Sequence, residues 1–309
     1  MVFQFDITSF KNNYEMKQIL LSAFAALSLA SCTHNHKSEN KNGSDMSTND
    51  TLYFKSGYSD VNGIKMYYEL HGDKGDYLVL IHGGGSTLGT TFGKVIPLLA
   101  REHKVIAVEL QAHGHTGDRN TPESFEQDAD DVASLLHNLQ IPKASIFGFS
   151  NGGNTAIQIA TRHPEIVNKL VLASTFYKRE AFPARFFEGM KLATLNDMPE
   201  ALRNAFLKIN PDSNALLTMF NKDRERMLQF RDWSDELMRS IKAPTLIISG
   251  DRDVVSTEHA VVMSKLIPNA RLMIFPAMHG AYMGAAEVPD AGSKIHELTV
   301  TVVEDFLNK

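Results

Sequence analysis

One short segment constrains this chain more than any other: the sequence GFSNG, which places Ser150 between Gly148 and Gly152. The apolar run before it, residues 144–149, is typical of a buried strand, and residues 154–162 after it favour a helix. A serine at such a strand-to-helix turn adopts a strained backbone, so the positions two before and two after it must be small. The spacing predicts a nucleophile elbow. The alternative is a tight glycine-rich turn with a capping serine.

The rest of the chain, from about residue 53, alternates between strand-like and helix-like segments. Two of the strand-like segments flank Asn62-Gly63, a dipeptide typical of a hairpin turn. Further apolar runs predict strands at residues 77–81, 104–110, 144–149, 169–173, 245–249 and 271–275. Helical patterns between these runs predict an α/β fold, with a mostly parallel sheet and helices on both of its faces. Residues 176–242 lack strand runs, and we interpret them as a helical cap inserted between two strands of one domain, residues 53–309.

Glycines also follow the predicted strand 77–81, in the sequence His82-Gly83-Gly84-Gly85. Glycine lets a backbone approach a ligand closely, and acyl transfer needs N–H donors that face the negative oxygen of the transition state. The Gly84 N–H and the Asn151 N–H are the donors that we predict for this oxyanion hole. A phosphate-binding loop is the alternative, but neither of the usual phosphate-loop glycine patterns occurs at this position.

Two further predicted strands lead into residues with catalytic chemistry. One is followed by an acidic loop that contains Asp251 and Asp253, and the next leads to His279. Because open α/β sheets bind ligands at the carboxyl ends of their strands, we expect Ser150, an aspartate and His279 to lie close together. A serine hydroxyl needs a base, and the histidine in turn needs a carboxylate that fixes its tautomer. Asp251 and Asp253 are both candidates for that carboxylate.

These motifs together resemble the α/β-hydrolase fold family with a helical cap, over essentially the whole of residues 53–309. The matching segments are the glycine loop 82–85, residues 109–116, the elbow, the loop 250–253 and His279. The family's Gly-x-x-Asp pattern implies that Asp253 is the catalytic acid, with Asp251 as the competitor. The family commonly reads Asp-x-Arg-Gly-His-Gly where this chain has Glu109, Gln111 and Ala112, a departure that leaves the catalytic residues unaffected.

The resemblance implies a serine hydrolase, with Ser150 as nucleophile, His279 as base and Asp253 as the residue that orients the base. An acyl-enzyme would form and then be hydrolysed, and no metal or organic cofactor is implied. We expect a small-molecule substrate, a carboxylic ester or lactone with an apolar part of modest size. Alternatives on the same triad are a cofactor-free haloperoxidase or perhydrolase and a carbon–carbon bond hydrolase. An alternative of another class is a ligand-binding receptor with little turnover.

Histidines and cap residues near these motifs have alternative interpretations. His113 and His115 form a His-x-His pair that could bind a metal, but no carboxylate stands clearly beside them in the sequence. The resemblance implies that they pack a loop near the mouth of the site. Several large apolar residues of the predicted cap are expected to form its core rather than to contact substrate. They are Phe182, Phe186, Phe187, Met190, Phe220 and Trp233.

The N-terminal segment predicts a targeting signal rather than a part of the folded domain. Residues 16–31 combine a cationic start, an apolar run too short to cross a bilayer as a stable helix, and the sequence Leu-Ala-Ser before Cys32, which is similar to a bacterial lipobox. We expect Cys32 to be lipidated and to attach the domain to a membrane of the bacterial cell envelope. Residues 32–52 are polar and predict a flexible tether, and residues 1–15 are interpreted as a non-native upstream extension.

Composition excludes two further kinds of chemistry. The formal net charge is −5 at pH 7, so we expect no nucleic-acid partner, which would favour a strongly basic face. A single cysteine can form neither an intramolecular disulfide nor a multi-cysteine metal site. The sequence does not indicate an oligomeric state.

Overall fold

The computed structural model describes residues 53–289 and 292–309. The predicted signal segment, the lipidation site Cys32 and the tether lie outside the described residues, so they stay predictions. Within the described part of the chain, no helix is both long enough and apolar enough to cross a membrane.

The strands of the described residues form a single sheet. Their bounds are Phe54–Val61 (β1), Ile64–His71 (β2), Tyr77–Ile81 (β3), Lys104–Val108 (β4), Ala144–Phe149 (β5), Val167–Ala173 (β6), Thr245–Arg252 (β7) and Ala270–Met278 (β8). Their order in the sheet is β1-β2-β4-β3-β5-β6-β7-β8. The pairs β1–β2 and β2–β4 are antiparallel, and the other neighbouring pairs are parallel. The expected hairpin turn joins β1 to β2, where Asn62 and Gly63 have φ of 43° and 90°, the positive values that such a turn requires.

Helices connect the parallel strands. In the described residues the α-helices are Leu88–Phe92 (α1), Ile96–Leu99 (α2), Phe125–Asn138 (α3), Asn151–Arg162 (α4), Phe186–Leu192 (α5), Glu200–Ile209 (α6), Ser213–Gln229 (α7), Asp235–Arg239 (α8), Thr257–Leu266 (α9) and Ile295–Leu307 (α10). The side chains of Ser124, Asp212 and Ser256 accept hydrogen bonds from the first turns of α3, α7 and α9. These caps satisfy backbone N–H groups that have no partner inside a helix, and so fix where the helices begin.

Alternate residues of the central strands point to opposite faces of the sheet, which explains why helices cover both faces. In β3, Val79 and Ile81 belong to one buried apolar cluster, whereas Leu78 and Leu80 belong to another. The first cluster includes residues of α3 and α4, and the second includes residues of α2 and α10. Both faces of the sheet are therefore buried, as a parallel sheet requires, and the predicted α/β fold class is confirmed.

The helices α5 to α8 all lie between β6 and β7, in the segment that we interpreted as a cap. Apolar side chains of the segment between β6 and β7 contribute to two buried clusters, one around Phe206 and Met219 and the other around Phe176 and Phe230. The first cluster also includes Ala112, and the second includes residues of α3 and of the loop after β7. The cap therefore packs directly on the loops that follow the strands.

Candidate active site

The candidate catalytic residues follow the carboxyl ends of neighbouring parallel strands. Ser150 comes directly after β5, Asp253 directly after β7 and His279 directly after β8, while the glycine loop 82–85 follows β3. These strands belong to the run β3-β5-β6-β7-β8, so their ends meet at the same end of the sheet. Ser150, His279 and the glycine loop line one cavity there.

Ser150 occupies the strained turn that its flanking glycines predict. Its backbone has φ of 52° and ψ of −122°, a conformation that residues with side chains rarely adopt. A side chain at Gly148 would overlap the backbone of Gly152, and one at Gly152 would overlap the carbonyl of Ile81. The Ser150 N–H donates to the Ala173 carbonyl at 2.8 Å. Packing on both sides therefore holds the serine at the start of α4.

His279 is oriented by Asp253. The His279 Nδ1 lies 2.6 Å from Asp253 Oδ1, and the Asp253 side chain is fully buried. An ionised carboxylate can only accept hydrogen bonds, so Nδ1 carries the hydrogen and Nε2 is free to take a proton. Asp251 instead accepts from the Ala277 N–H at 2.9 Å, where the pairing of β7 with β8 shifts its register. Of the two candidate acids, Asp253 therefore contacts the histidine, and Asp251 holds two strands together.

The electrostatics of this pair favour its charged forms. Burial acts to lower the pKa of His279, but the charge and hydrogen bond of Asp253 outweigh it, so the pKa of His279 rises above its usual value. Burial acts to raise the pKa of Asp253, but His279 and further hydrogen-bond donors hold it below its usual value. A histidine whose pKa is raised by a buried carboxylate is a better proton acceptor at neutral pH.

Two hydroxyl groups that the sequence analysis did not identify extend the pair. The Ser174 hydroxyl donates to Asp253 Oδ2, and it lies 2.6 Å from the Tyr282 hydroxyl. Because the single hydrogen of Ser174 points at Asp253, the tyrosine donates to the serine, and a chain of hydrogen bonds runs from Tyr282 to His279. Ser174 directly follows β6, a position from which the sequence could have suggested it. Tyr282 lies in a short helical turn, and no pattern in the sequence indicated a role for it.

A buried, neutral histidine holds the glycine loop. The His82 Nδ1 lies 2.8 Å from the Gly83 carbonyl, and Nε2 accepts a hydrogen bond from the Leu110 N–H at 3.1 Å. One ring nitrogen donates and the other accepts, which is the pattern of an uncharged imidazole. Burial, with a smaller effect of the neighbouring His113 charge, lowers the pKa of His82 to about 3. This histidine is therefore a structural part of the loop at all ordinary pH values.

The two residues that are predicted to supply the oxyanion donors lie next to each other. Gly84 faces the side-chain amide of Asn151, and both residues line the cavity with Ser150. Asn151 is the first residue of α4, so its backbone N–H has no partner within the helix. The positive end of the helix dipole also favours negative charge at this point. The arrangement can therefore stabilise an oxyanion that forms at Ser150.

The cap contributes a carboxylate to the same wall of the cavity. Asp223, on α7, lines the cavity and accepts a hydrogen bond from the Gly85 N–H at 2.5 Å. It also contacts His113 Nε2 at 2.9 Å and the guanidinium of Arg226. The other ring nitrogen of His113 lies 2.8 Å from the Gln111 carbonyl. Both nitrogens of His113 thus face groups that only accept hydrogen bonds, which requires a positively charged ring.

The buried charges around Asp223 balance one another. Burial acts to lower the pKa of His113, but the Asp223 carboxylate raises it to about 9. Arg226, with a side chain only 3% exposed, also contacts Asp128 at 2.7 Å and Glu123 at 3.6 Å. Burial raises the pKa of Asp128 to about 6 and that of Glu123 to about 8. Burial thus opposes the charged form of Glu123, and the two cations, His113 and Arg226, face the carboxylates of Asp223 and Asp128.

The charge on His113 makes the stability of the protein depend on pH. Folding raises the His113 pKa from 6.5 to about 9, so the stabilisation from the charged ring is complete below pH 6.5 and is lost as the pH rises through 9. A shift of this size corresponds to roughly 3 kcal/mol. We expect the free energy of unfolding in urea to fall over this range, and to fall less in His113→Gln. Parallel curves for the two proteins would contradict the prediction.

The two histidines of the His-x-His pair face different carboxylates. His115 Nδ1 lies 2.9 Å from Glu109 Oε2, whereas His113 faces Asp223, which is 110 positions away in the chain. Each histidine of the pair therefore has a carboxylate beside it in the structure, although Asp223 is distant in the sequence. Among the described residues, no group of three or more possible metal ligands occurs.

The cavity is mostly apolar. It contains about 880 Å³ of empty space, a figure that includes the part open to solvent. Four of the cap residues that we expected to form only the cap core also line it. They are Phe182, Phe186, Met190 and Phe220. The polar part of the wall includes Arg224 and Glu287, and burial raises the pKa of Glu287.

Comparison with known proteins agrees with this architecture. The family model described as alpha/beta hydrolase fold matches residues 76–218. The human protein named serine hydrolase BPHL is 28% identical over 229 residues, covering 70% of this chain and 77% of that protein. A 2-hydroxymuconate semialdehyde hydrolase of a Pseudomonas species is 27% identical over 221 residues, covering 64% of this chain and 78% of that protein. An enol-lactonase structure from Burkholderia xenovorans has a TM-score of 0.63 at 21% identity, over 82% of this chain and 100% of that one, which concerns the fold alone.

Proposed function

This chain belongs to the α/β-hydrolase fold family, a family of hydrolases, and we propose that it is a serine hydrolase that cleaves a carboxylic ester or lactone. The observation that carries the proposal is a strained Ser150 that lines the same cavity as His279, whose ring is hydrogen-bonded to the buried Asp253. These are the parts that activate a serine hydroxyl for attack on a carbonyl group.

The proposed reaction proceeds through an acyl-enzyme. Ser150 Oγ attacks the carbonyl carbon while His279 Nε2 takes its proton, and Asp253 stabilises the resulting imidazolium. The N–H groups of Gly84 and Asn151 donate to the oxyanion of the tetrahedral intermediate. Collapse of the intermediate expels the alcohol, which receives the proton from His279. A water molecule, deprotonated by His279, then attacks the acyl-enzyme and releases the carboxylic acid together with the free Ser150 hydroxyl.

The wall of the cavity supports an ester or lactone with an apolar part. Phenylalanine and methionine side chains from the cap surround the space above Ser150. Such a wall stabilises hydrocarbon by removing it from water. The few polar groups on the wall would orient the substrate rather than bind it strongly. We expect turnover to rise with acyl chain length until the chain fills the cavity.

Carbon–carbon bond hydrolysis is the second candidate. Its support is the likeness to relatives named 2-hydroxymuconate semialdehyde hydrolase and 2-hydroxy-6-oxo-6-(2'-aminophenyl)hexa-2,4-dienoic acid hydrolase, at 27% and 25% identity. The same serine, histidine and oxyanion donors would serve a reaction in which a carbon atom, in place of an alcohol, leaves the tetrahedral centre.

A fluorophosphonate probe tests whether a serine in this cavity is activated. We expect stoichiometric covalent labelling, with the probe located by peptide mass spectrometry on Ser150. In parallel, the protein would be assayed with para-nitrophenyl esters, with lactones and with a 2-hydroxy-6-oxohexa-2,4-dienoic acid. Fast turnover of esters or lactones supports the first candidate, and turnover of the dienoic acid alone supports the second. A folded protein that shows neither labelling nor turnover would contradict the proposal.

A further inference from the structure

One cap residue forms a hydrogen bond with the glycine loop 82–85 and has an unusual set of partners. Asp223 accepts a hydrogen bond from the Gly85 N–H at 2.5 Å, and its other carboxylate oxygen lies 3.5 Å from the side-chain amide of Asn151. Gly85 follows one predicted oxyanion donor, Gly84, and Asn151 carries the other. A single cap side chain therefore binds both segments from which the oxyanion donors come.

We propose that Asp223 is a positioning residue, which holds the glycine loop so that the Gly84 N–H points at the oxyanion only while the cap lies in the position described here. This inference rests on the proposed function and deepens it. Donors must be aimed in advance at the place where negative charge develops, because their value depends on orientation. The hydrogen bond from Gly85 to Asp223 fixes the peptide unit next to the Gly84 N–H, and so transmits the position of α7 to the donor.

A carboxylate beside an oxyanion hole would oppose catalysis if its charge were not neutralised. Here the charge is met by His113, whose ring nitrogens both require a hydrogen, and by Arg226, which is buried against Asp223. Asp128 balances the second cation, since it contacts Arg226 at 2.7 Å. The cluster thus allows Asp223 to accept hydrogen bonds from the loop without placing net negative charge next to Ser150.

The partners of Asp223 also distinguish a positioning residue from one that only stabilises the cap. Gly85 belongs to the loop after β3, His113 to the loop after β4, and Asn151 to the start of α4. Asp223 also bonds to Arg226 within α7, but a residue that only stabilised this helix would have no partners outside it. Asp212 is such a residue, because it caps α7 through the Asn214 N–H at 2.8 Å and is exposed to solvent. Asp212 therefore offers a matched control on the same helix.

The test compares Asp223→Asn with Asp212→Ala in the full protein. Asparagine has about the size of aspartate, but its NH₂ group cannot accept, so it cannot serve Gly85, His113 and Arg226 together. For Asp223→Asn we expect kcat for a para-nitrophenyl ester, and the rate constant for fluorophosphonate attack on Ser150, to fall about 10- to 100-fold with KM nearly unchanged. Asp212→Ala should lower the melting temperature and leave both rate constants within about twofold.

A second variant and a second readout keep the inference falsifiable. Asp223→Glu retains the charge that Arg226 and His113 need, so it should fold, and its displaced carboxylate should still lower kcat severalfold. The Gly85 amide should exchange with solvent deuterium faster in both Asp223 variants, whether or not the protein turns over an ester. Wild-type kcat in a folded Asp223 variant, or unchanged exchange at Gly85, would overturn the inference. Absence of labelling and turnover in the unaltered protein would instead count against the proposed function.

Discussion

Replacing Ser150 by alanine is expected to lower kcat/KM for the best ester about a million-fold, which is the effect of removing the nucleophile from a serine hydrolase. The proposed mechanism has no substitute for the hydroxyl, because no acyl-enzyme can form without it and water would have to attack the ester directly. The free energy of unfolding should change little, since alanine has nearly the same volume and takes the same positive φ of 52°. Steady-state kinetics and urea unfolding of the two proteins measure both quantities.

A matched control is available on the same strand. Ser145 is buried in β5, five residues before the elbow, and it does not line the cavity. Ser145→Ala should keep wild-type turnover and fluorophosphonate labelling. If Ser150→Ala is folded and still hydrolyses the ester at a rate near that of the unaltered protein, the proposed mechanism is wrong.

Replacing Arg226 by methionine is expected to lower the free energy of unfolding by about 3–5 kcal/mol, the typical effect of breaking a buried ion pair from one side. Methionine fills much of the same space but leaves Asp128 without its cation and Asp223 with His113 alone. It also removes the guanidinium that lies 4.8 Å from the centre of the Phe125 ring. Urea unfolding at pH 7 measures the change.

Arg239 provides the comparison for this prediction. It is 52% exposed on α8 and pairs with Asp235 and Glu236 at the surface. Pairs of that kind contribute less than about 1 kcal/mol because water already solvates both partners. Arg239→Met should therefore cost far less than Arg226→Met. Equal losses in the two variants would show that the buried cluster around Asp223 does not hold the cap as described.

The parts of the site that the sequence predicted are those set by local pattern. The elbow needs small residues at fixed distances from Ser150, and the apolar runs mark the strands whose ends carry Asp253 and His279. The strand order then places these residues near one another, because neighbouring parallel strands have their carboxyl ends at the same edge of the sheet. The family model described as alpha/beta hydrolase fold matches residues 76–218, a range that includes the glycine loop and the elbow. The residues alone could not decide between Asp251 and Asp253, since both follow the same apolar run and only their contacts distinguish them.

The parts that the sequence did not predict depend on contacts between distant segments. Asp223 lies in a run of charged residues on α7 that is typical of an exposed helix face, and its partner His113 is 110 positions away. Only the packing of the cap on the sheet loops turns that face inward. The cap phenylalanines had the same ambiguity, because an apolar side chain that packs in a core and one that lines a cavity look alike in sequence.

The cap enters after β6 and returns to β7, while the catalytic candidates all sit on loops of the sheet. Over evolutionary time, such an insertion can change its sequence, and with it the range of substrates, without altering the chemistry beneath it. Asp223 limits that freedom. A lineage that exchanged the cap would have to keep an acceptor for the Gly85 N–H and for His113, or change the cap and the sheet loops together. Position 223 should therefore vary together with position 113 when related sequences diverge, even where the surrounding cap residues vary independently.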